Sequence, residues 1–308
     1  MLDRQTAVLL QKLVPDVQGA GATKQAFDVA DARDGVAAVF AEFSGAEKTN
    51  CVVTEVCIPR EAGEIPARLY RPNAPRKGPA PLIVFFHGGG WSLGDLDCYD
   101  ELMRALCTRS DAIFLSIDYR LAPEHKFPAG LNDCIAAVEW AALYANSIGA
   151  DPEHLAVMGD SAGGNLTAAV AHRVHVAGRI KLAAQFLLYP ILDISQPHSA
   201  YASRIKFGDG AYYLSCAGID ATVDWYLNGA SLRENPNLSP ILANNIDKLP
   251  PTVIIAAGCF RLLLLCNHNK KGFMKNPHSW SNRVIHVSAL SNSQKLPVLT
   301  LPCDCPRL

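Results

Sequence analysis

The stretch His154-Leu155-Ala156-Val157-Met158-Gly159-Asp160-Ser161-Ala162-Gly163 runs from an apolar segment straight into the pattern G-x-S-x-G. A strand that enters a helix through this pentapeptide turns tightly and lifts the serine hydroxyl clear of a sheet. Glycine on either side permits the close backbone approach. A helical pattern follows from Ala162 to Val176. Alone, the pentapeptide also fits an ordinary strand-to-helix turn, and chance supplies about 0.1 such matches in a chain of this size.

A second motif decides between the two readings. His87-Gly88-Gly89-Gly90-Trp91 follows another apolar run, Pro81–Phe86. A tetrahedral acyl intermediate places negative charge on the former carbonyl oxygen, and backbone N–H groups aimed at that point stabilise it. Gly88, Gly89 and Ala162 are the expected donors. Ser161 is the expected nucleophile, His87 orients the glycine loop, and Asp160 and Asn165 hold the turn.

Working outward, short apolar strands alternate with helices. Strands are expected at 51–57, 65–70, 81–86, 112–117, 154–158, 182–188 and 252–257. Helices are expected at 100–108, 131–146, 162–176 and 221–227, the second with Ile135, Val138 and Leu143 on one face. Two apolar stripes lie N-terminal to these: Leu9, Leu10, Leu13 and Val14, then Val36 to Phe43. This rhythm implies an α/β fold with a mainly parallel central sheet and helices on both faces. Ligands then bind beyond the carboxyl ends of the strands, where both glycine motifs lie.

Composition bounds the rest. The 308 residues are 49% hydrophobic with a formal net charge of −1, so no strong field points toward nucleic acid or an anionic membrane. No apolar run reaches the length of a membrane span, and Met1 to Val14 lacks a secretory apolar core, so a cytoplasmic protein is expected. The ten cysteines are irregularly spaced, which argues against a disulfide framework. Cys107 and Cys134 sit in apolar patterns, as small hydrophobes do. Cys303-Asp304-Cys305 has no second pair at metal-site spacing, so no metal is expected.

These residues closely resemble the hormone-sensitive-lipase-like branch of the α/β-hydrolases, which includes bacterial carboxylesterases. The resemblance rests on His87–Trp91 with Gly94–Asp97, on Asp118-Tyr119-Arg120-Leu121-Ala122-Pro123-Glu124-His125, and on Gly159–Asn165. Tyr189-Pro190 with Asp193, Ser239-Pro240 and Leu249–Thr252 extend it to residues 50–259. It implies an N-terminal helical cap (1–48), a catalytic core (49–259) and hydrolysis of short to medium acyl esters without a cofactor. It also implies a buried ion-pair and turn network at Asp118–His125, and pairing of two copies through an edge strand.

The pattern breaks near residue 260. The resemblance puts the acid of a serine–acid–histidine triad just after the strand 252–257, yet the chain reads Gly258-Cys259-Phe260-Arg261, with Phe260 where an aspartate is expected. Of the chain's 28 Lys and Arg and 29 Asp and Glu, seven bases and one acid fall after residue 260, leaving 21 and 28 before it. A basic segment 260–308 without strand–helix rhythm, read as a divergent or frame-altered end, is the expectation. His268, His278 and His286 are the candidate bases, and His286 is favoured because Val284-Ile285-His286-Val287 looks like a strand end at the family's spacing. Asp304 is the one acid of this segment, and the triad acid has no assigned residue.

Overall fold

The computed structural model describes residues 28–45 and 50–257, apart from 62, 74–77, 212, 228 and 230–231, together with 8, 10 and 13 and the backbone of 282–287. Leu9 and Val14 of the first apolar stripe, and Phe260, His268, His278 and Asp304, lie outside the described residues.

Helix α1 (Val29–Phe43) starts because the Asp28 carboxylate accepts hydrogen bonds from the N–H groups of Ala30 and Asp31. A hairpin follows, β1 (Cys51–Arg60) and β2 (Gly63–Pro72), closed by Arg60 opposite Gly63. Gly63 takes φ +105°, a conformation that suits glycine. Then come β3 (Ala80–Phe86), α2 (Asp100–Ser110), β4 (Ile113–Ile117), α3 (Ala129–Tyr144), β5 (Ala150–Asp160) and α4 (Ser161–Ala171). The chain continues through β6 (Ala184–Leu188), α5 (Ala202–Phe207), α6 (Cys216–Tyr226), β7 (Thr252–Ala257) and β8 (Asn282–Val287).

The strands form one sheet in the order β1-β2-β4-β3-β5-β6-β7-β8. Strands β1, β2 and β4 pair antiparallel, and every pair from β4 to β8 is parallel. The period-two geometry of β3 explains how both faces are covered. Leu82, Val84 and Phe86 join a cluster with Leu131, Val138, Leu166 and Val170 of α3 and α4. Phe85 points the other way, into a cluster with Tyr99, Met103 and Cys107, against which Val36 and Phe40 of α1 pack. Cys107 and Cys134 are fully buried free thiols.

The sequence expectation for α3 fails at one residue. Leu131, Cys134, Ile135, Val138 and Ala141 are buried, whereas Leu143 is 74% exposed. Five residues beyond Val138 is well off the buried stripe at 3.6 residues per turn.

The Asp118–His125 stretch also divides. Asp133 of α3, 2% exposed, accepts from Arg120 Nε and Nη2 at 2.8 Å each, from the Arg120 N–H at 3.0 Å and from Arg60 Nη1 at 3.2 Å. That is the expected buried pairing. Glu124 instead meets Arg33 of α1 at 2.8 Å at the surface. Arg33 also donates to the carbonyls of Ser92 and Ala122, so it ties α1 to the loop after the glycine motif. Asp133→Ala leaves two guanidinium groups without their carboxylate. Both keep partial access to water, which reduces the cost to about 2 kcal/mol. Urea unfolding measures this, and a loss under about 0.5 kcal/mol would show the network to be ornamental to stability.

Candidate active site

Ser161 stands at the first position of α4, directly beyond the carboxyl end of β5, with φ +51°. A non-glycine residue held in the left-handed region is strained, and the surroundings must fix it. Here they do so by close approach. A Cβ on Gly163 would collide with the carbonyl oxygens of Phe86 and His87 at the end of β3. A Cβ on Gly159 would strike Gly163, with Phe86 O only 2.6 Å away. The glycines of G-x-S-x-G are therefore required by the packing of the turn against β3. Asn165 adds a clamp, as its Nδ2 donates to the carbonyls of Ile191 at 2.7 Å and Leu238 at 2.8 Å. The Ile191 N–H donates to Ser161 O at 3.1 Å.

The glycine loop faces this turn. His87 is fully buried, stacks on Tyr119 with ring centres 4.4 Å apart, and places Nδ1 2.8 Å from Gly88 O. Burial lowers its pKa to about 4, so near neutral pH it is an uncharged wedge beneath the loop. Asp160 is 5% exposed, and burial pushes its pKa up to about 6 against the opposing hydrogen bonds of Tyr99 and Gly88.

One expectation is corrected here. The Gly88 N–H donates to Asp160 Oδ1 at 2.8 Å, so it is committed to the buried carboxylate. It also lies 3.1 Å from Tyr99 Oη, whose O–H donates to Asp160 Oδ2 at 3.0 Å. Gly88 is thus a positioning residue and does not aim its amide at an oxyanion. Among the described residues, the N–H groups of Gly89, Gly90 and Ala162 have no acceptor. Ala162 lies in the uncapped first turn of α4, since Asp160 makes no side-chain cap. Gly89 and Gly90 have φ +111° and +59°. A side chain on Gly89 would run into Leu93 O.

Sequence reasoning missed Tyr99, because nothing local marks a residue that meets Asp160 sixty-one positions away. Tyr99→Phe keeps the ring packing on Phe40 and Phe85 and removes both hydrogen bonds of the hydroxyl. The expected result is a stability loss of about 1–2 kcal/mol, read by chemical denaturation, because Asp160 loses a donor while buried. An unchanged midpoint would show that the hydroxyl carries no load.

Of His286 only the backbone is described. Asp160, Leu188, Ile255 and Ile285 lie in one row across β5, β6, β7 and β8, and His286 pairs with Ala256 one position further on. It thus stands near the carboxyl end of β8, at the same end of the parallel strands as the Ser161 turn. His125 lines an opening of about 360 Å³ together with Asp118 and Glu124, between α1 and the loop of Gly94, and its charge acts on Glu124.

Comparison with known proteins fits this geometry. A family model described as the alpha/beta hydrolase fold matches residues 83–263. The chain belongs to the α/β-hydrolase fold family. It is 45% identical over 212 residues to the carboxylic ester hydrolase LipN of Mycobacterium tuberculosis, covering 67% of this chain and 55% of that protein. It is 41% identical over 196 residues to the carboxylesterase NlhH of the same species, covering 62% of this chain and 59% of that one. The chain thus spans less than two thirds of the length of these relatives. Among solved structures, a serine-to-alanine mutant of LAE6, an α/β-hydrolase enzyme from the Lake Arreo metagenome, superposes with a TM-score of 0.83 at 32% identity, covering 94% of this chain and 88% of that one. A thermostable esterase from Pseudomonas putida gives 0.76 at 32% identity, covering 85% and 80%. Among the described residues, no helix is long and apolar enough to cross a membrane.

Proposed function

We propose that this protein is a carboxylic ester hydrolase that works on short to medium acyl esters through a Ser161 acyl-enzyme. The observation that carries the reading is Ser161 at φ +51° beside the acceptor-free N–H groups of Gly89, Gly90 and Ala162. In the proposed reaction Ser161 Oγ attacks the acyl carbonyl, the three amides hold the oxyanion, and the alcohol leaves. Water then attacks the acyl-serine and releases the acid. Each of the three donors is worth roughly 3 kcal/mol of transition-state stabilisation. Residues 49–259 form the catalytic core in this reading, with 1–48 as a cap and 260–308 as a divergent extension. The base in this reading is His286 near the end of β8, with His268 and His278 as the alternatives and no residue assigned as the acid. The ester esterases named above support the reaction class. A pairing of two copies through the edge strand β8 belongs to the same reading, and light scattering reads it. Release of p-nitrophenol from p-nitrophenyl butyrate by the purified chain tests the proposal, and a rate equal to buffer alone from folded protein would sink it.

A second reading is a catalytically impaired member that keeps the pocket for small-molecule binding. Phe260 where the resemblance puts the acid favours it. It expects saturable binding of a short ester with no turnover.

A further inference from the structure

The segment between β6 and β7 holds a charged group that the ester chemistry does not use. Arg204 of α5 is only 4% exposed. Its Nη1 lies 3.1 Å from His198 Nδ1, and its guanidinium sits 4.5 Å over the Tyr201 ring. Its Nε and Nη2 are buried and have no hydrogen-bond partner among the described residues. These two N–H groups share one edge of the guanidinium and point in parallel. That edge matches the paired oxygens of a carboxylate or phosphate, which is why arginine is the usual residue for bidentate recognition of oxyanions. Burying such an edge unpaired is costly, so its occupant should be an acceptor with two oxygens.

Arg204 also lines a small cavity of about 40 Å³, together with Gln196, His198, Asp220 and Arg233. Arg233 brings a second positive charge to the lining, with Nη2 3.5 Å from Asp224 Oδ1. Two acids, Asp193 and Asp220, lie near enough to act on Arg204. Asp193 accepts from the Ser195 N–H and Oγ–H, at 2.9 and 2.6 Å. Asp220 Oδ2 lies 3.0 Å from His198 Nε2, so the imidazole stands between this carboxylate and Arg204. We propose that this cavity is a binding site for a small oxyanion, a carboxylate or phosphate group, gripped by the Nε–Nη2 edge of Arg204 with Arg233 beside it. The proposal holds whether or not the chain hydrolyses esters.

Calorimetric titration of the full-length chain with sodium phosphate, and separately with sodium propionate, against sodium chloride of equal ionic strength tests this. One-to-one binding of phosphate or of propionate beyond the chloride control is expected. Phosphate alone would identify a phosphate-type ligand, propionate alone a carboxylate, and either supports the site. Arg204→Met should weaken the binding roughly tenfold to a hundredfold, the worth of charge-assisted hydrogen bonds. Binding of neither anion by the wild type, or affinity unchanged by Arg204→Met, would overturn the proposal. If Arg204→Met does not fold, Arg233→Gln takes its place. It should weaken the same anion severalfold, and an unchanged affinity there would equally overturn the site.

Discussion

Ser161→Ala lowers p-nitrophenyl butyrate hydrolysis by at least about 10²-fold, with the fold intact by circular dichroism. Removing the nucleophile from a working serine hydrolase costs about 10⁶ in kcat, while an oxyanion hole and binding alone retain about 10³–10⁴ over water. The size of the fall therefore measures how much of the remaining machinery operates. A fall near 10⁶ means that a base and an orienting acid are both in place, and that residues after 257 supply them. Loss of the orienting acid alone costs about 10⁴, so a fall near 10² fits a chain that lacks a carboxylate where Phe260 stands. No difference between wild type and variant would defeat the esterase reading and leave the binding reading in its place. His286→Ala provides the companion measurement. As the proposed base, His286 acts as a unit with the nucleophile, so its loss should cost about as much as Ser161→Ala. A change of less than about tenfold would pass the role of base to His268 or His278.

The sheet was legible because its strands are continuous apolar runs between glycine and proline punctuation, and parallel strands buried on both faces must be so. The Ser161 turn and the glycine loop were legible for a different reason. Their chemistry demands fixed residue types at fixed spacing, and the clash of a Gly163 side chain with Phe86 O shows the demand to be steric. The allocation of individual amides was not legible. Gly88 and Gly89 are equivalent in sequence, and only the burial of Asp160 beneath the loop decides that Gly88 serves the carboxylate. Tyr99, Arg33 and Arg204 act through contacts across the fold with no local period to announce them. Leu143 shows the converse failure, an apolar residue counted with the core because it is apolar, although its helical phase turns it to solvent.

His87→Gln and Asp160→Asn reverse one another's effect on how stability changes between pH 4 and pH 6. Asp160 has a carboxyl raised from 3.8 to about 6 by burial, so the folded state holds its proton more tightly than the unfolded chain. Its contribution is fully present below pH 3.8 and is lost as pH rises through 6. His87 is lowered from 6.5 to about 4 by burial, so the unfolded chain binds its proton first. Its contribution is fully present above pH 6.5 and is lost as pH falls through 4. Each shift spans a little over two units, or about 3 kcal/mol at 1.36 kcal/mol per unit. In the wild type the two slopes nearly cancel. Relative to wild type, His87→Gln removes the rising slope, so its stability falls by about 3 kcal/mol from pH 4 to pH 6. Asp160→Asn removes the falling slope and gains a similar amount over the same range. Taking each variant as a difference from wild type at the same pH cancels every other titrating group. Urea midpoints at pH 4, 5 and 6 read both curves, and parallel curves for wild type and either variant would show that its buried group does not titrate in this window. The cancellation carries a functional consequence. Above pH 6 Asp160 is ionised and holds the Gly88 amide and the Tyr99 hydroxyl by charge-assisted bonds, while His87 stays neutral beneath the loop. The glycine loop is thus most firmly set in the pH range where a histidine base is free to accept a proton from Ser161.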